Sequence, residues 1–123
     1  MATQPTASLS NRTPQEIFQH HAEALGAEDA DGAALDYAET AYIITRDGIM
    51  QGKQAIRDFF AGVFKALPQA KWDVEPTFVE DILFLPWKAD STVARVSDGV
   101  DTFVFQDGLI RIQTVHYTLE PKE

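Results

Sequence analysis

The chain has 123 residues and a net charge of −9, from 19 acidic against 10 basic side chains, and 45% of its residues are apolar. That size and apolar content suffice for one globular domain with its own core, while the acidic balance without a basic cluster excludes nucleic acid and anionic membrane surfaces as expected partners. The absence of cysteine excludes disulfides, thiol nucleophiles and thiolate metal sites.

Residues 1–12 are polar and non-periodic and read as a flexible arm, leaving 13–123 as a single domain. This N-terminus has neither a basic start nor an apolar signal segment, and no apolar run approaches membrane-helix length, so a cytoplasmic protein is expected. In "TPQE", Thr13 offers a capping hydroxyl, Pro14 stands where a helix tolerates proline, and Glu16 completes the pattern of a capping box. The helix that follows gathers Ile17, Phe18, His21, Ala24 and Leu25 on one face; Glu16, His20 and Glu23 point elsewhere, with His20 expected in solvent. A capping aspartate in "AEDADGAALDYAE" opens a short second helix whose apolar pattern runs through Ala34, Leu35, Tyr37 and Ala38. "TAYIIT" predicts a strand ending near Thr45, and "RDG" a turn, which leaves Asp47 either a turn residue or a base at the rim of that strand.

"GKQAIRDFFAGVFKAL" is the most periodic segment. Ile56, Phe59, Phe60, Val63, Phe64 and Leu67 fall on one helical stripe that Pro68 ends. From Lys71 onward the pattern is β: about 71–80, 82–88, 92–106 with an interruption at "SDG", and 109–119, joined as antiparallel hairpins. Helices followed by a strand meander without repeated βαβ units define an α+β fold. A curved sheet wrapped around amphipathic helices leaves an apolar concavity, in which the phenylalanine stripe is core first and pocket wall second. Trp72 and Trp87 fill either the sheet face or a dimer contact.

Three blocks carry a family resemblance: "QHHAEALGAEDADGAALDYAETAYI", "GKQAIRDFF" and "VDTFVFQDGLIRI". Their order resembles the nuclear transport factor 2-like superfamily, which includes ketosteroid isomerases, scytalone dehydratase, limonene epoxide hydrolase and polyketide cyclases of the SnoaL type. The resemblance implies a cone-shaped, curved antiparallel sheet around three N-terminal helices. It also aligns the isomerases' functional positions with this chain. Their strand aspartate, a hydrogen-bond donor to the substrate oxyanion, matches Asp101; their helix tyrosine falls on His21, their general base on Thr45, and a supporting tyrosine on Phe60. Steroid isomerase activity is therefore not transferred, because threonine cannot hold a proton near neutral pH.

Asp101 alternates with Phe103 and Phe105, so a carboxyl shares a strand face with two rings. In a pocket it would be desolvated and its pKa raised, as for the protonated aspartate of ketosteroid isomerase, which is the standard example of this behaviour. Otherwise it lies at a solvated strand end, or pairs with Arg95 or Arg111. A two-residue turn at Asp107-Gly108 pairs Phe105 with Ile110 and gives Asp101 the neighbours Ile112, Thr114 and His116; a three-residue turn pairs Phe105 with Leu109 and gives it Arg111, Gln113, Val115 and Tyr117. The resemblance favours the second, with Tyr117 in the pocket and His116 on the outer face. His21 is either a core histidine bonded to a carbonyl or a pocket histidine facing Asp101, and such a pair serves as a general base.

The expected activity is proton transfer on an apolar, carbonyl-containing small molecule, without cofactor or metal. Its catalytic residues are Asp101, His21 and Thr45 as a positioning hydroxyl, and its substrate-binding residues are Phe59, Phe60, Phe103, Gln113 and Tyr117. The competing expectation is a non-catalytic ligand-binding or dimerisation module. A homodimer is expected in either case, because the sheet's outer face is exposed.

Overall fold

Helix α1 (Pro14–Gly26) begins where its capping chemistry dictates: the Glu16 N–H donates to the Thr13 hydroxyl at 3.2 Å, and the Thr13 N–H donates to the Glu16 carboxylate at 2.8 Å. The computed structural model describes residues 11–123. The arm expected over residues 1–12 thus lies outside the described residues except for its last two, and of these Arg12 is held: it donates to Asp36 at 2.7 Å and to the Gly108 carbonyl at 3.0 Å. Helix α2 (Ala30–Leu35) is capped by Asp29, which accepts from the Gly32 N–H at 2.9 Å.

Helix α2 stops short of its apolar pattern. Tyr37 and Ala38 instead open strand β1 (Tyr37–Thr45), where Tyr37 pairs with Ile110 and its ring is fully buried, so tertiary pairing overrides local periodicity. The chain turns after Thr45 and returns as β2 (Gly48–Gln51), a strand absent from the sequence reading because its apolar run, Ile49-Met50, is too short to alternate. Helix α3 (Lys53–Ala66) buries Ile56, Phe60 and Phe64, with Phe59 and Val63 half-buried beside them. The rest is β3 (Lys71–Val74), β4 (Thr77–Val79), β5 (Ile82–Asp90), β6 (Ala94–Gln106), β7 (Leu109–His116) and β8 (Glu120–Pro121).

The strand expected over 71–80 is divided at Glu75-Pro76, where proline has no N–H for a ladder, and both halves pair with β5. The interruption expected at "SDG" is instead a bulge inside a continuous β6: Trp87 faces Gly99 while Ala89 faces Val96, so β6 uses one more residue than β5. The sheet order is β2-β1-β7-β6-β5-β3, with β4 on β5 and β8 on β6. All pairs are antiparallel except β1 with β7, which is parallel. This is the curved α+β sheet with helices on its inner face, where Leu83, Phe103 and Ile110 meet Ile17, Ala24 and Phe60 in one core. Among the described residues no helix is long and apolar enough to cross a membrane.

The β6–β7 hairpin decides what faces inward. Asp107 (φ 54°) and Gly108 (φ 78°) make a two-residue turn of the left-handed kind that such hairpins require, with Phe105 opposite Ile110. One extra residue, Arg111, then shifts the register, so that Val104 faces Ile112, Phe103 faces Gln113 and Asp101 faces Val115. The turn is that of the first expected register, and the faces beyond the bulge are those of the second. Gln113 and Val115 are buried, whereas Thr114 and His116 are exposed.

Candidate active site

Between α1, α3 and the inner face of β3, β5, β6 and β7 lies a cavity of about 220 Å³. Phe18, Phe59, Phe60, Trp72, Trp87 and Phe103 supply aromatic wall, and the polar groups reaching it are Asp101, His21, Gln113 and Tyr117. The two tryptophans, left between sheet face and dimer contact by the sequence, are therefore wall: the Trp87 ring lies tilted against Trp72 and against Tyr117, each at a centroid distance of 5.5 Å.

Asp101 is 8% exposed and gripped on both oxygens. The Trp87 Nε1–H donates to Oδ1 at 2.9 Å, and the Gln113 amide donates to Oδ2 at 2.9 Å. Gln113 is itself oriented by the Tyr37 hydroxyl, which donates to its Oε1. Trp87 reaches Asp101 because of the residue beside it in the ladder: a Cβ on Gly99 would lie 2.3 Å from Trp87 Cε2, so only glycine lets the indole lie across that strand. Neither Arg95 nor Arg111 pairs with Asp101; Arg95 bonds Glu120, and Arg111 bonds the Thr40 carbonyl and covers the Tyr42 ring.

Burial pushes the Asp101 carboxyl up from 3.8, the Trp87 and Gln113 hydrogen bonds pull it part of the way back, and it stands at about 7. Near neutrality the group is thus present in both forms. In the neutral form it has one O–H to donate while both oxygens still accept from the protein, so that hydrogen is available to whatever occupies the cavity. Burial raises the Tyr117 hydroxyl as well, with Asp101 and Asp47 adding to the effect, and the phenol stays protonated.

His21 is 3% exposed and packed edge-on between Tyr37, Phe60 and Phe103, at ring separations of 5.7, 5.3 and 5.7 Å. The direct pairing with Asp101 considered from sequence is not formed. Nor does a carbonyl satisfy the ring, since its buried Nδ1 has no hydrogen-bond partner among the described residues. The nearest carboxylate is Asp36, with Oδ2 3.8 Å from His21 Nδ1. Asp36 is fully buried and also receives Arg12 at 2.7 Å and His20 Nδ1 at 2.8 Å, so His20 is engaged and only partly in solvent. Burial alone would raise the Asp36 carboxyl, but His21, His20 and Arg12 outweigh it and hold the group below its ordinary value.

Thr45 does not line the cavity. Its hydroxyl accepts from the Asp47 N–H at 3.1 Å and donates to the Gly48 carbonyl at 3.3 Å, which occupies it in the β1–β2 turn. It borders an adjoining depression with Arg46, Asp47, Phe59 and Tyr117, the last two shared with the cavity. Asp47 is an exposed turn residue at that rim. Among the described residues no three histidine, aspartate or glutamate side chains converge as metal ligands.

Sequence reasoning missed Trp87 as the clamp on Asp101, Tyr37 as the support of Gln113, and Asp36 as the carboxylate nearest His21. Gly99 inside a strand was the one available signal, since it marks a close approach by another group. Asp36 sits at the junction of α2 and β1, and nothing in the local pattern distinguishes it from a turn acid.

Comparison with known proteins agrees with this architecture. The sequence profile of the SnoaL-like domain matches residues 18–112. No curated protein matches the chain. Among solved structures, a nuclear transport factor 2-like protein of unknown function from Cytophaga hutchinsonii is 14% identical with a TM-score of 0.72, over 96% of this chain and 95% of that one. A cystatin-fold protein from Novosphingobium aromaticivorans is 16% identical with a TM-score of 0.74, over 86% and 99%. SalBIII, an epoxide hydrolase/cyclase-like enzyme with a role in pyran ring formation in salinomycin, is 19% identical with a TM-score of 0.72, over 89% and 95%. Likenesses at this identity carry the fold.

Proposed function

The chain belongs to the SnoaL-like family, and from that premise we propose that it is an enzyme of proton transfer on a compact, apolar molecule bearing a carbonyl oxygen. The observation that supports this most directly is Asp101: a carboxyl on an aromatic cavity wall, held by Trp87 and Gln113 and raised to about 7. An acid so poised donates to a ligand oxygen and stabilises the negative charge that grows there when a neighbouring carbon loses its proton. Phe59, Phe60 and Phe103 exclude water, Gln113 orients Asp101, and Tyr117 closes the mouth side. Thr45 has no part in the chemistry. An apolar cavity of about 150 Å³ accepts benzene, so a cavity of about 220 Å³ suits a molecule of one or two rings rather than a four-ring steroid.

The test is deuterium exchange at the α-carbons of cyclohexanone and 1-decalone in heavy water, followed by NMR. Wild-type protein accelerates exchange, and Asp101→Asn lowers the acceleration by about 10²-fold or more. No acceleration together with no thermal stabilisation by either ketone overturns the reading. Stabilisation without acceleration favours the second reading, a ligand-binding module, whose support is that the position matching the isomerases' base is Thr45, at the end of β1 and outside the cavity. We also propose that the chain forms a homodimer through the outer face of the sheet, where Ile49, Val79, Ile82 and Phe84 are exposed.

A further inference from the structure

Proton abstraction needs a base, and the position that would supply one by resemblance lies outside the cavity. Of the groups lining the cavity, Asp101 serves as donor and Tyr117 remains a phenol, which leaves His21. Its surroundings are asymmetric. The ring meets the edges of Tyr37, Phe60 and Phe103, and one acid stands beside it: Nδ1 is buried, has no hydrogen-bond partner among the described residues and lies 3.8 Å from Asp36 Oδ2. Oδ1 of that carboxylate is taken by Arg12 at 2.7 Å and by His20 at 2.9 Å, and Oδ2 by His20 at 2.8 Å, so Oδ2 keeps a lone pair free.

We propose that Asp36 and His21 form a carboxylate–imidazole dyad in which Asp36 holds the Nδ1–H tautomer and leaves Nε2 as the proton acceptor on the cavity wall. This rests on the proton-transfer reading above and names its missing base. A 3.8 Å separation is long for a hydrogen bond, and such contacts tighten when substrate fills the site. Asp36 is ionised across the neutral range, because its three cationic or donating neighbours hold the carboxylate form, and it therefore stabilises the imidazolium that proton abstraction creates.

The step balances within the chain. The α C–H bond of the ketone breaks, its proton passes to His21 Nε2, and its electron pair forms the carbon–carbon double bond while the carbonyl π pair moves onto oxygen, which accepts the Asp101 O–H hydrogen bond. Return of the proton from Nε2 to carbon restores the ketone and the free imidazole, with no oxidant, reductant or co-reactant. His21 is the catalytic base; Asp36 acts through it and is a positioning residue.

Two measurements test this. Nitrogen-15 NMR of the imidazoles, with no ligand present, reads the tautomer directly: His21 is expected as Nδ1–H in the wild type. In Asp36→Asn, Arg12 claims the amide oxygen, the NH₂ group faces His21, and the Nδ1–H form loses its majority. A His21 found as Nε2–H in the wild type, or unmoved by Asp36→Asn, overturns the dyad. The second arm is deuterium exchange into cyclohexanone, in which His21→Gln lowers the wild-type acceleration by about 10²–10⁴-fold and Asp36→Asn by at least about tenfold. Exchange that depends on Asp101 but survives His21→Gln overturns the dyad and leaves the proton-transfer reading standing. Absence of exchange in the wild type overturns that reading, while the tautomer measurement still decides the dyad. Should Asp36→Asn fail to fold, His21→Gln, which removes no hydrogen bond among the described residues, decides the kinetic arm.

Discussion

Asp101 places a measurable cost on the fold. Its carboxyl moves from 3.8 to about 7 on folding, which corresponds to on the order of 4 kcal/mol. The sign follows from proton uptake: between about pH 4 and 7 the folded state keeps a proton that the unfolded state releases, so stability contributed by this group is full below 4 and falls as pH rises through 7. Asp101→Asn removes that slope, the Gln113 amide turning over to give its Oε1 to the new amide. The variant is expected to match the wild type near pH 4 and to exceed it by a few kcal/mol at pH 8, as read by urea unfolding at both values; equal stability at pH 8 would mean that Asp101 is solvated. Catalysis, in contrast, should decline in the wild type as pH rises through about 7, because ionised Asp101 has no hydrogen to donate. Gly99→Ala displaces the Trp87 indole and frees one oxygen of Asp101, so the indole N–H resonance of Trp87 should move toward the position of a solvent-exposed tryptophan. Asp101 itself was legible, because alternation with Phe103 and Phe105 put it on an apolar face. Gln113 was legible as its neighbour in the favoured register; Trp87 was not, because it stands on β5 and only the ladder brings it there.

Elements whose information is local were read from the sequence. The capping box at Thr13 and Glu16 opens α1, and the stripe from Ile56 to Phe64 defines α3. Thr13→Ala should cost about 1 kcal/mol, visible as a lower urea midpoint. Elements defined by pairing escaped the reading. The β1 residues Tyr37 and Ala38 continue a helical pattern until they meet β7, and Arg111 lies between two isoleucines where alternation gives no hint of an extra residue. Deleting Arg111 leaves an unbroken ladder in which Val104 still faces Ile112 and Phe103 still faces Gln113, so Gln113 keeps its place on the inner face. The Trp87 indole signal should therefore stay where it is, and loss of the Arg111 bond to the Thr40 carbonyl should lower the melting temperature by only about 2–5 °C. A deletion variant whose Trp87 indole signal moves to the solvent-exposed position would show that the inner face depends on the extra residue.

The ladder aligns apolar side chains across the outside of the molecule as well. Through successive pairings, Ile49, Ile44, Thr114, Thr102 and Phe84 stand in one row, and Tyr42, Ile112, Val104, Ile82 and Val79 in the next. Neither row contains a charged residue, on a chain with a net charge of −9, and the guanidinium of Arg111 reaches them over the Tyr42 ring. Single exposed apolar residues are ordinary, whereas Ile44, Ile49, Val79, Ile82 and Phe84 stand exposed on one face. Ile49→Lys combined with Phe84→Lys should convert a dimer into a monomer in light scattering while leaving the melting temperature of the monomer unit little changed; a wild type that is monomeric at high concentration would remove the dimer. The sheet's rims allow no comparable contact. One ends in the four residues of β2, and the other is split by Pro76 between β3 and β4. A molecule whose hydrogen-bonding margins are short and broken cannot add copies side by side into a growing ribbon. An association through the outer face, as proposed above, would therefore stop at two copies, and the greasy surface would be kept from seeding a fibre.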